Sequence, residues 1–482
     1  MGDVLAFQYS TRKNKILELV NRTEPGRDFW VARNKYFYQE DFRYMKFLIP
    51  KGLRILDLGC GSGDLLAALE PKLGFGIDFS PVMIEKAKKK YPNYQFILGD
   101  IEDPGIISQL PKPFDIIILS DTIGQLDDCQ TCLERLHDLC NDDTRIIISY
   151  YASFWEPVLA IAEKCRLKSP QTELNWLSSD DIVNILSLSD FETVKQEWRQ
   201  LIPRKILGIG HLVNRFIAPL PLIRKLCIRN YVVARSLRNL EKRDYSTTIL
   251  IPCRNEMGNI ENAIKRIPPF CPDIEIIFVE GHSKDGTLEE IHRVKNFYKD
   301  LDIKVLTQPG IGKADAVRTG FAIGRGDVLM ILDADLTMPP EDLPKFYHAI
   351  ADNYGEFING SRLVYPMEKD SMRFLNRIAN KIFSWTFSYL LNQRYTDTLC
   401  GTKVLKKKHY KIIETNRDYF GDFDPFGDYD LIFGASKQNL KVAEIPIRYA
   451  SRSYGESQIS RFSHGWLLVK MVGFAYRKLK AF

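Results

Sequence analysis

Leu56-Asp57-Leu58-Gly59-Cys60-Gly61-Ser62-Gly63 is an apolar run that breaks into a glycine-rich turn, with a carboxylate just ahead of its last leucine. A strand entering such a turn lets the backbone close around an adenosine-bearing cofactor. Working outward, strand patterns at 54–58, 75–77, 95–98, 115–119 and 145–150 alternate with helix patterns at 65–69, 81–90 and 129–139. That alternation predicts a parallel sheet covered on both faces, with ligands beyond the carboxyl ends of its strands. Those ends carry the informative residues. Asp57 can accept hydrogen bonds from the turn or from a cofactor amine. Asp78, in Gly76-Ile77-Asp78-Phe79-Ser80, can take both hydroxyls of a ribose. In Gly99-Asp100-Ile101, Asp100 can meet an adenine amino group while Ile101 packs on the ring.

A second signature, Leu332-Asp333-Ala334-Asp335-Leu336, closes a strand pattern over 327–332. Side chains alternate along an extended chain, so carboxylates two apart share a side and can hold Mg2+ or Mn2+ against a diphosphate. Upstream, a strand over 247–252 ends in Cys253-Arg254-Asn255-Glu256, and a helix pattern follows at 257–266. Another strand, 275–279, runs into Glu280-Gly281-His282-Ser283-Lys284-Asp285-Gly286-Thr287, a turn suited to a nucleotide. Gly312 and Lys313 precede a helix through Gly320, where backbone amides and an ammonium can meet a phosphate.

A chain of 482 residues exceeds one ordinary core, since domains run to roughly 100–200 residues. Hydrophobic content of 45% and charged content of 27% exclude disordered, collagen-like and coiled-coil classes. Nine scattered cysteines fit reduced core thiols. Cys129-x-x-Cys132, with Cys140, falls in a helical apolar pattern with Leu133, Leu136 and Leu139, which reads as packing rather than zinc. Met1-Gly2-Asp3-Val4-Leu5 lacks the features of a signal peptide, and no apolar run approaches the ~20 residues of a spanning helix, so contact with a membrane is expected at its surface.

The net charge of +6 is uneven. From Leu201 to Arg243 ten basic residues face only Glu241, interleaved with apolar side chains and broken by Pro203, Pro219 and Pro221. This reads either as a basic amphipathic connector on an anionic membrane or as a linker whose charges are solvated. No nucleic-acid motif accompanies the charge, so nucleic acid is not an expected partner.

The order of 56–63, 76–80, Leu98-Gly99-Asp100-Ile101-Glu102 and Phe114-Asp115-Ile116-Ile117-Ile118-Leu119-Ser120 resembles the class I S-adenosylmethionine-dependent methyltransferases over about residues 30–200. The resemblance implies S-adenosyl-L-methionine contacts at Gly59, Gly61, Asp78, Phe79, Asp100, Ile101 and Ser120, with Asp57 and Gly63 completing the strand end and turn. Asp121, Tyr150 and Tyr151 lie at strand ends, where they either orient a methyl acceptor or simply pack.

From Ser246 to about Lys470, Ile251-Pro252-Cys253-Arg254-Asn255-Glu256, Ser283-Lys284-Asp285-Gly286-Thr287 and the Asp-x-Asp pair resemble the inverting family 2 glycosyltransferases of the GT-A fold. That implies nucleotide-sugar contacts at Pro252, Asn255, Glu256, Glu280, Ser283, Lys313 and Asp333, and a metal on Asp333 and Asp335. Asn359-Gly360-Ser361-Arg362, Asp397-Thr398-Leu399-Cys400-Gly401-Thr402-Lys403 and Tyr454-Gly455-Glu456-Ser457-Gln458-Ile459-Ser460-Arg461-Phe462 resemble the branch that makes dolichyl- or polyprenyl-phosphate sugars. Its lipid phosphate acceptor needs cations, for which Arg362, Lys403, Arg452 and Arg461 are candidates. The segment from Phe426 to Ile432 matches the family's acidic segment loosely. For a hydroxyl acceptor, Asp397, Asp428 or Asp430 is the candidate base, beside Arg362. Glu280-Gly281 replaces two aspartates usual in the family. Met372–Phe387 has the periodicity and basic ends of an interfacial helix or of a helix packed on the core, and 464–478 reads as a second such element.

The expected fold is α/β with two doubly wound domains, a Rossmann-like methyltransferase over 1–200 and a GT-A nucleotide-diphospho-sugar transferase over 244–482, joined by the basic linker 201–243. The expected function is bifunctional, with glycosyl transfer from a nucleotide-diphosphate sugar to a lipid phosphate and methylation of a second acceptor. The expected location is cytoplasmic, peripheral on the cytoplasmic face of a membrane. The alternative is glycosyl transfer to a saccharide hydroxyl, with the first domain a cofactor-binding or regulatory module.

Overall fold

The structure, a computed structural model, describes residues 9–170, 174–365, 374–419, 427–452, 454–455 and 461–482; the side chains of 374–377, 428 and 461–465 are outside that description. The chain divides into two compact units, Met1–Leu240 with Ala481 and Glu241–Lys480 with Phe482.

The first unit is built on seven strands, β1 (Arg54–Leu58), β2 (Leu73–Asp78), β3 (Gln95–Leu98), β4 (Ile116–Ser120), β5 (Arg145–Tyr151), β6 (Phe191–Arg199) and β7 (Arg229–Ser236). Their order is β3-β2-β1-β4-β5-β7-β6. β1 to β5 pair in parallel, as the alternating pattern predicts, while β7 runs antiparallel to both β5 and β6. Central strands bury every apolar position, as sheets covered on two faces require. Helices pack their apolar sides on them, as Pro81–Lys90 does with Met83, Ile84 and Ala87. Cys132 and Cys140 lie in this core with Leu133 and Leu136, as their helical spacing predicts.

β7 corrects the reading of 201–243 as a single connector, because Arg229–Ser236 is an interior strand with all eight residues buried. Two of the basic residues go inside with it. Arg229 pairs with Asp41 and Asp121, and Arg235 with Glu192, so their charges are neutralised internally and never reach a surface. Ahead of β1, helices Thr11–Thr23, Arg27–Arg33 and Lys35–Leu48 form a segment that no sequence motif singled out.

The second unit has seven strands, β8 (Thr247–Cys253), β9 (Ile274–Glu280), β10 (Asp302–Thr307), β11 (Val328–Ile331), β12 (Phe357–Ser361), β13 (Lys403–Lys406) and β14 (Val442–Pro446). The order is β10-β9-β8-β11-β13-β12-β14, with β13 antiparallel to β11 and β12 and the other pairs parallel. Both sheets are therefore mixed α/β sheets, each with one antiparallel strand set into a parallel frame. The two helices expected here, for an interface or for core packing, exist as Phe374–Leu391 and Arg461–Leu479; residues 372 and 373 lie outside the described residues. Each buries one side, through Phe387 and Leu390 or Leu468 and Met471, and exposes an aromatic on another, Trp385 or Trp466. Among the described residues no helix is long and apolar enough to cross a membrane.

Candidate functional site

In the first unit the expected cofactor residues converge where β1 and β4 lie side by side, the point at which strand order reverses and open sheets leave a crevice. Gly59 has φ 76°, and a Cβ there would collide with the Thr122 hydroxyl, so only glycine lets the turn approach β4. Asp78 accepts from the Gly61 and Ser80 amides, both at 2.9 Å, and so fixes the turn that it also faces. Gly63, with φ 75°, starts the helix Asp64–Ala68.

Asp57 is buried at the end of β1, and its Oδ1 has no hydrogen-bond partner among the described residues. Burial, and then the charge of Asp78, push its carboxyl up to about 7. An orphaned buried acceptor is unfavourable, and an ammonium satisfies it, so the residues present fit the amino end of S-adenosylmethionine. Ile101 is buried, Ser120 accepts from the Ser149 hydroxyl at 3.0 Å, and Phe79 meets Tyr9 edge to face at 6.2 Å.

Asp100 is already engaged. One oxygen accepts from the Glu102 amide at 2.9 Å and the other pairs with Lys13, which also pairs with Glu102. Burial alone would lower the Lys13 ammonium; the two carboxylates outweigh it and hold it above its ordinary value. A cavity of about 290 Å³ lies alongside, lined in part by Lys13, Glu102, Asp127 and Arg135.

The residues before β1 were missed by the sequence motifs, yet they reach each part of this crevice. Tyr9 meets Phe79, Lys13 meets Asp100, and Asn21 accepts from the Ser80 hydroxyl at 2.8 Å. The Arg27 guanidinium comes within 3.2 Å of where a Cβ on Gly61 would sit, and its Nε is buried without a partner among the described residues. One sequence signal was present, Ser10 as an N-cap whose hydroxyl accepts from the Lys13 amide at 3.0 Å.

Of the three candidate acceptor residues, two face one cluster. Asp121 pairs with the fully buried Arg229, whose guanidinium lies 5.1 Å from the Tyr151 ring, and Lys168 sits 5.8 Å over the same ring. Burial pulls the Lys168 ammonium down to about 8. Tyr150 instead donates to the Asn175 carbonyl at 2.8 Å and is a core residue.

In the second unit the same logic places the motifs where β8 and β11 adjoin. Pro252 lies in β8 itself. Asn255 has φ 54°, a left-handed conformation that Asn tolerates, and ties two loops together; its amide donates to Ser283 Oγ and its Oδ1 accepts from the Lys284 amide, both at 2.9 Å. Glu280, buried at the end of β9, accepts from the Ser283 amide at 2.5 Å.

Asp333 pairs with Lys313 at 2.6 Å. Burial alone would raise its carboxyl; Lys313, with Lys403 and Arg362 behind it, holds it below the ordinary range. A Cβ on Gly401 would strike both the Asp333 carboxylate and the Lys313 ammonium, so a glycine is needed for that loop to close on the pair. Asp335 accepts from the Thr337 hydroxyl at 2.8 Å and from Arg452 at 2.6 Å. Both carboxylates thus offer hard oxygen donors and are balanced by a side-chain cation, a donor set that fits Mg2+ or Mn2+.

Arg452, expected at the acceptor phosphate, spans Asp335 and Glu256, the latter at 3.1 Å. Burial raises the Glu256 carboxyl to about 7 against the opposing pull of Arg452. Arg362 forms a two-pronged pair with the fully buried Asp397 at 2.6 and 2.9 Å, and Asp397 also accepts from the Leu399 amide at 3.0 Å. Both Asp397 oxygens are therefore committed, which makes it an anchor for Arg362 rather than an available base. Lys403 is fully buried and donates to the Cys400 carbonyl. Asp430 pairs with Arg318 at 3.4 Å and Arg417 at 3.1 Å, away from the expected set of partners. The side chains of Asp428 and Arg461 lie outside the described residues.

Two family models match successive parts of the chain. Residues 49–203 match a methyltransferase domain and residues 248–412 match glycosyl transferase family 2. The dolichol-phosphate mannosyltransferase of Pyrococcus furiosus is 28% identical over 238 residues, 48% of this chain and 63% of its own length. That of Saccharomyces cerevisiae is 26% identical over 234 residues, 44% of this chain and 80% of its own. The undecaprenyl-phosphate 4-deoxy-4-formamido-L-arabinose transferase of Edwardsiella ictaluri is 23% identical, over 48% of this chain and 65% of its own. The chain spans just under two thirds of the length of the first and third of these relatives. Among solved structures, a Thermotoga maritima S-adenosylmethionine-dependent methyltransferase covers 45% of this chain and 98% of its own at 18% identity and TM-score 0.35. The glucosyl-3-phosphoglycerate synthase of Mycobacterium tuberculosis covers 49% and 80% at 13% identity and TM-score 0.36. The chain joins a methyltransferase domain and a glycosyl transferase family 2 domain in one polypeptide.

Proposed function

We propose that the second domain transfers a sugar, with inversion, from a nucleotide-diphosphate sugar to a polyprenyl or dolichyl phosphate, and that the first domain methylates a separate acceptor with S-adenosylmethionine. The observation that carries the first half is the cluster at the tip of β11, where Asp333 is paired with Lys313 and feels the charges of Arg362 and Lys403. Curated relatives named for transfer to dolichol phosphate and undecaprenyl phosphate support the same acceptor class.

A lipid phosphate is ionised at neutral pH and needs no strong base, only cations that bring it to the anomeric carbon without repelling the donor. Arg362, held rigid by Asp397, and Lys403 supply that charge; Arg452 joins them once it leaves Asp335. Asn255, Glu256, Glu280 and Ser283 shape the loops that take the nucleotide. A divalent cation bound by Asp333 and Asp335 supplies charge neutralisation for the departing diphosphate. In the first domain, S-adenosylmethionine supplies a methyl group on a good leaving group, so the protein's work is orientation. Asp57 and Arg27 grip the two charged ends of the cofactor's amino acid, Asp78 takes the ribose, and Asp121 with Tyr151 positions the acceptor.

Membrane contact belongs to the same reading. Trp385 and Trp466 stand out from the helices that pack on the second domain, which suits a peripheral protein working at the cytoplasmic surface of a bilayer. The test is mass spectrometry of products after incubation with polyprenyl phosphate, a panel of nucleotide sugars and Mg2+ or Mn2+. A lipid-linked sugar is expected; products on soluble saccharides alone would overturn the lipid phosphate assignment.

A further inference from the structure

The first domain carries an apolar surface that its own fold leaves bare. In Ile206–Leu226 there is no acidic residue, and Leu207 is 101% and Leu222 92% exposed, with Ile209 and Leu212 also mostly in water. Leu207 has φ 52° and follows Ile206 at φ 38°, a left-handed conformation that branched side chains avoid, and no packing around Leu207 repays it. A second element joins the same surface. Trp155 Nε1 donates to the Leu226 carbonyl at 2.9 Å, and on either side of Trp155 the residues Phe154 and Ile161 are exposed. Large apolar side chains left in water at this density along one segment mark an interaction surface.

The charge around them selects the partner. Arg224 and Lys225 lie over the Trp198 ring at 5.1 and 6.0 Å, at the base of the apolar segment, and Arg204 and Lys205 are exposed beside Leu207. The helix Glu156–Lys164 adds the exposed Glu156 and the partly buried Glu163, but along 206–226 every fixed charge is basic. Apolar side chains on a basic segment complement a surface that is apolar inside and anionic at its face, which is a bilayer with acidic headgroups. The position also suits the chemistry. β5 ends at Tyr151, the next amide, Ala152, donates to the Ile228 carbonyl at 2.9 Å, and Phe154 and Leu226 each lie two residues along the chain from one of those groups. The surface therefore begins beside Asp121, Tyr151 and Arg229.

We propose that residues 206–226, with Phe154 and the helix Glu156–Lys164, dock the first domain on an anionic bilayer and turn its methyl-acceptor side toward the lipid. This rests on the reading of the protein as a peripheral membrane enzyme and assigns a surface for it outside the glycosyltransferase domain.

The test is co-sedimentation of the full chain with vesicles of phosphatidylcholine, with and without phosphatidylglycerol, for wild type and the double variant Leu207→Glu/Leu222→Glu. Circular dichroism and S-adenosylhomocysteine binding check that the exposed substitutions leave the fold intact. Wild type is expected to partition onto phosphatidylglycerol vesicles in a salt-sensitive way, and the variant to lose about tenfold of that partitioning. A variant that partitions like wild type overturns this surface while leaving membrane association standing. Wild type that binds no vesicle overturns both. Self-association without lipid that the variant abolishes overturns the proposal in favour of a second copy of the chain.

Discussion

Asp57, next to last in β1, has a carboxyl raised to about 7 and one oxygen without a partner among the described residues. A raised folded value means that the protonated form is favoured in the fold; the stability this gives is full below the ordinary value of 3.8 and is lost as pH rises through about 7. A ligand ammonium reverses the preference. The thermal stabilisation given by S-adenosylhomocysteine is therefore expected to grow as pH rises from about 5 to 8, and Asp57→Asn to flatten that trend. A wild-type shift that does not vary with pH would contradict the role. Asp397 gives a second prediction. Asp397→Ala leaves Arg362 buried without its partner and is expected to destabilise the second domain by about 3–5 kcal/mol in denaturant titration; a loss under about 1 kcal/mol would mean that water or another group takes the carboxylate's place. Sequence reading found Asp397 by its motif but not its partner, because the Arg362 pairing spans 35 residues and exists only once β12 and β13 pair.

The elements legible in the sequence were those whose local pattern and tertiary fate agree. β1, β2, β4, β9 and β11 are short apolar runs that end at or within two residues of a glycine or aspartate, β8 is an apolar run closed by Pro252 and Cys253, and each run sits where the chain makes a buried parallel strand. β7 and β13 were hidden. β13 is Lys403-Val404-Leu405-Lys406, too short to show alternation, and β7 begins and nearly ends in arginine. Those arginines enter the interior only because Asp41, Asp121 and Glu192 wait there, which no local window contains. The helix Lys313–Ile323 offers a test of element packing. A Cβ on Gly320 would strike Leu250 of β8, so Gly320→Val is expected to cost about 1–3 kcal/mol by forcing helix and sheet apart. Unchanged unfolding in denaturant would mean that the two do not pack as described.

At the scale of the whole molecule, each unit has its own sheet, its own strand-order reversal and its own set of charged residues at that reversal. Two chemistries in one chain therefore require no shared catalytic group. The two charge sets also differ in kind. The first leaves buried polar atoms on Asp57 and Arg27 without partners among the described residues, which suits the zwitterionic ligand proposed for it. The second balances each of Asp333 and Asp335 with a basic side chain, which suits the metal and diphosphate proposed for it. The most direct test compares wild type with Asp335→Ala in two assays on the same protein: sugar transfer to polyprenyl phosphate, and S-adenosylhomocysteine binding by calorimetry. The expected result is loss of sugar transfer by at least about a hundredfold with cofactor affinity unchanged. Retained sugar transfer, or loss of both activities together, would contradict two separate transferases joined in one polypeptide.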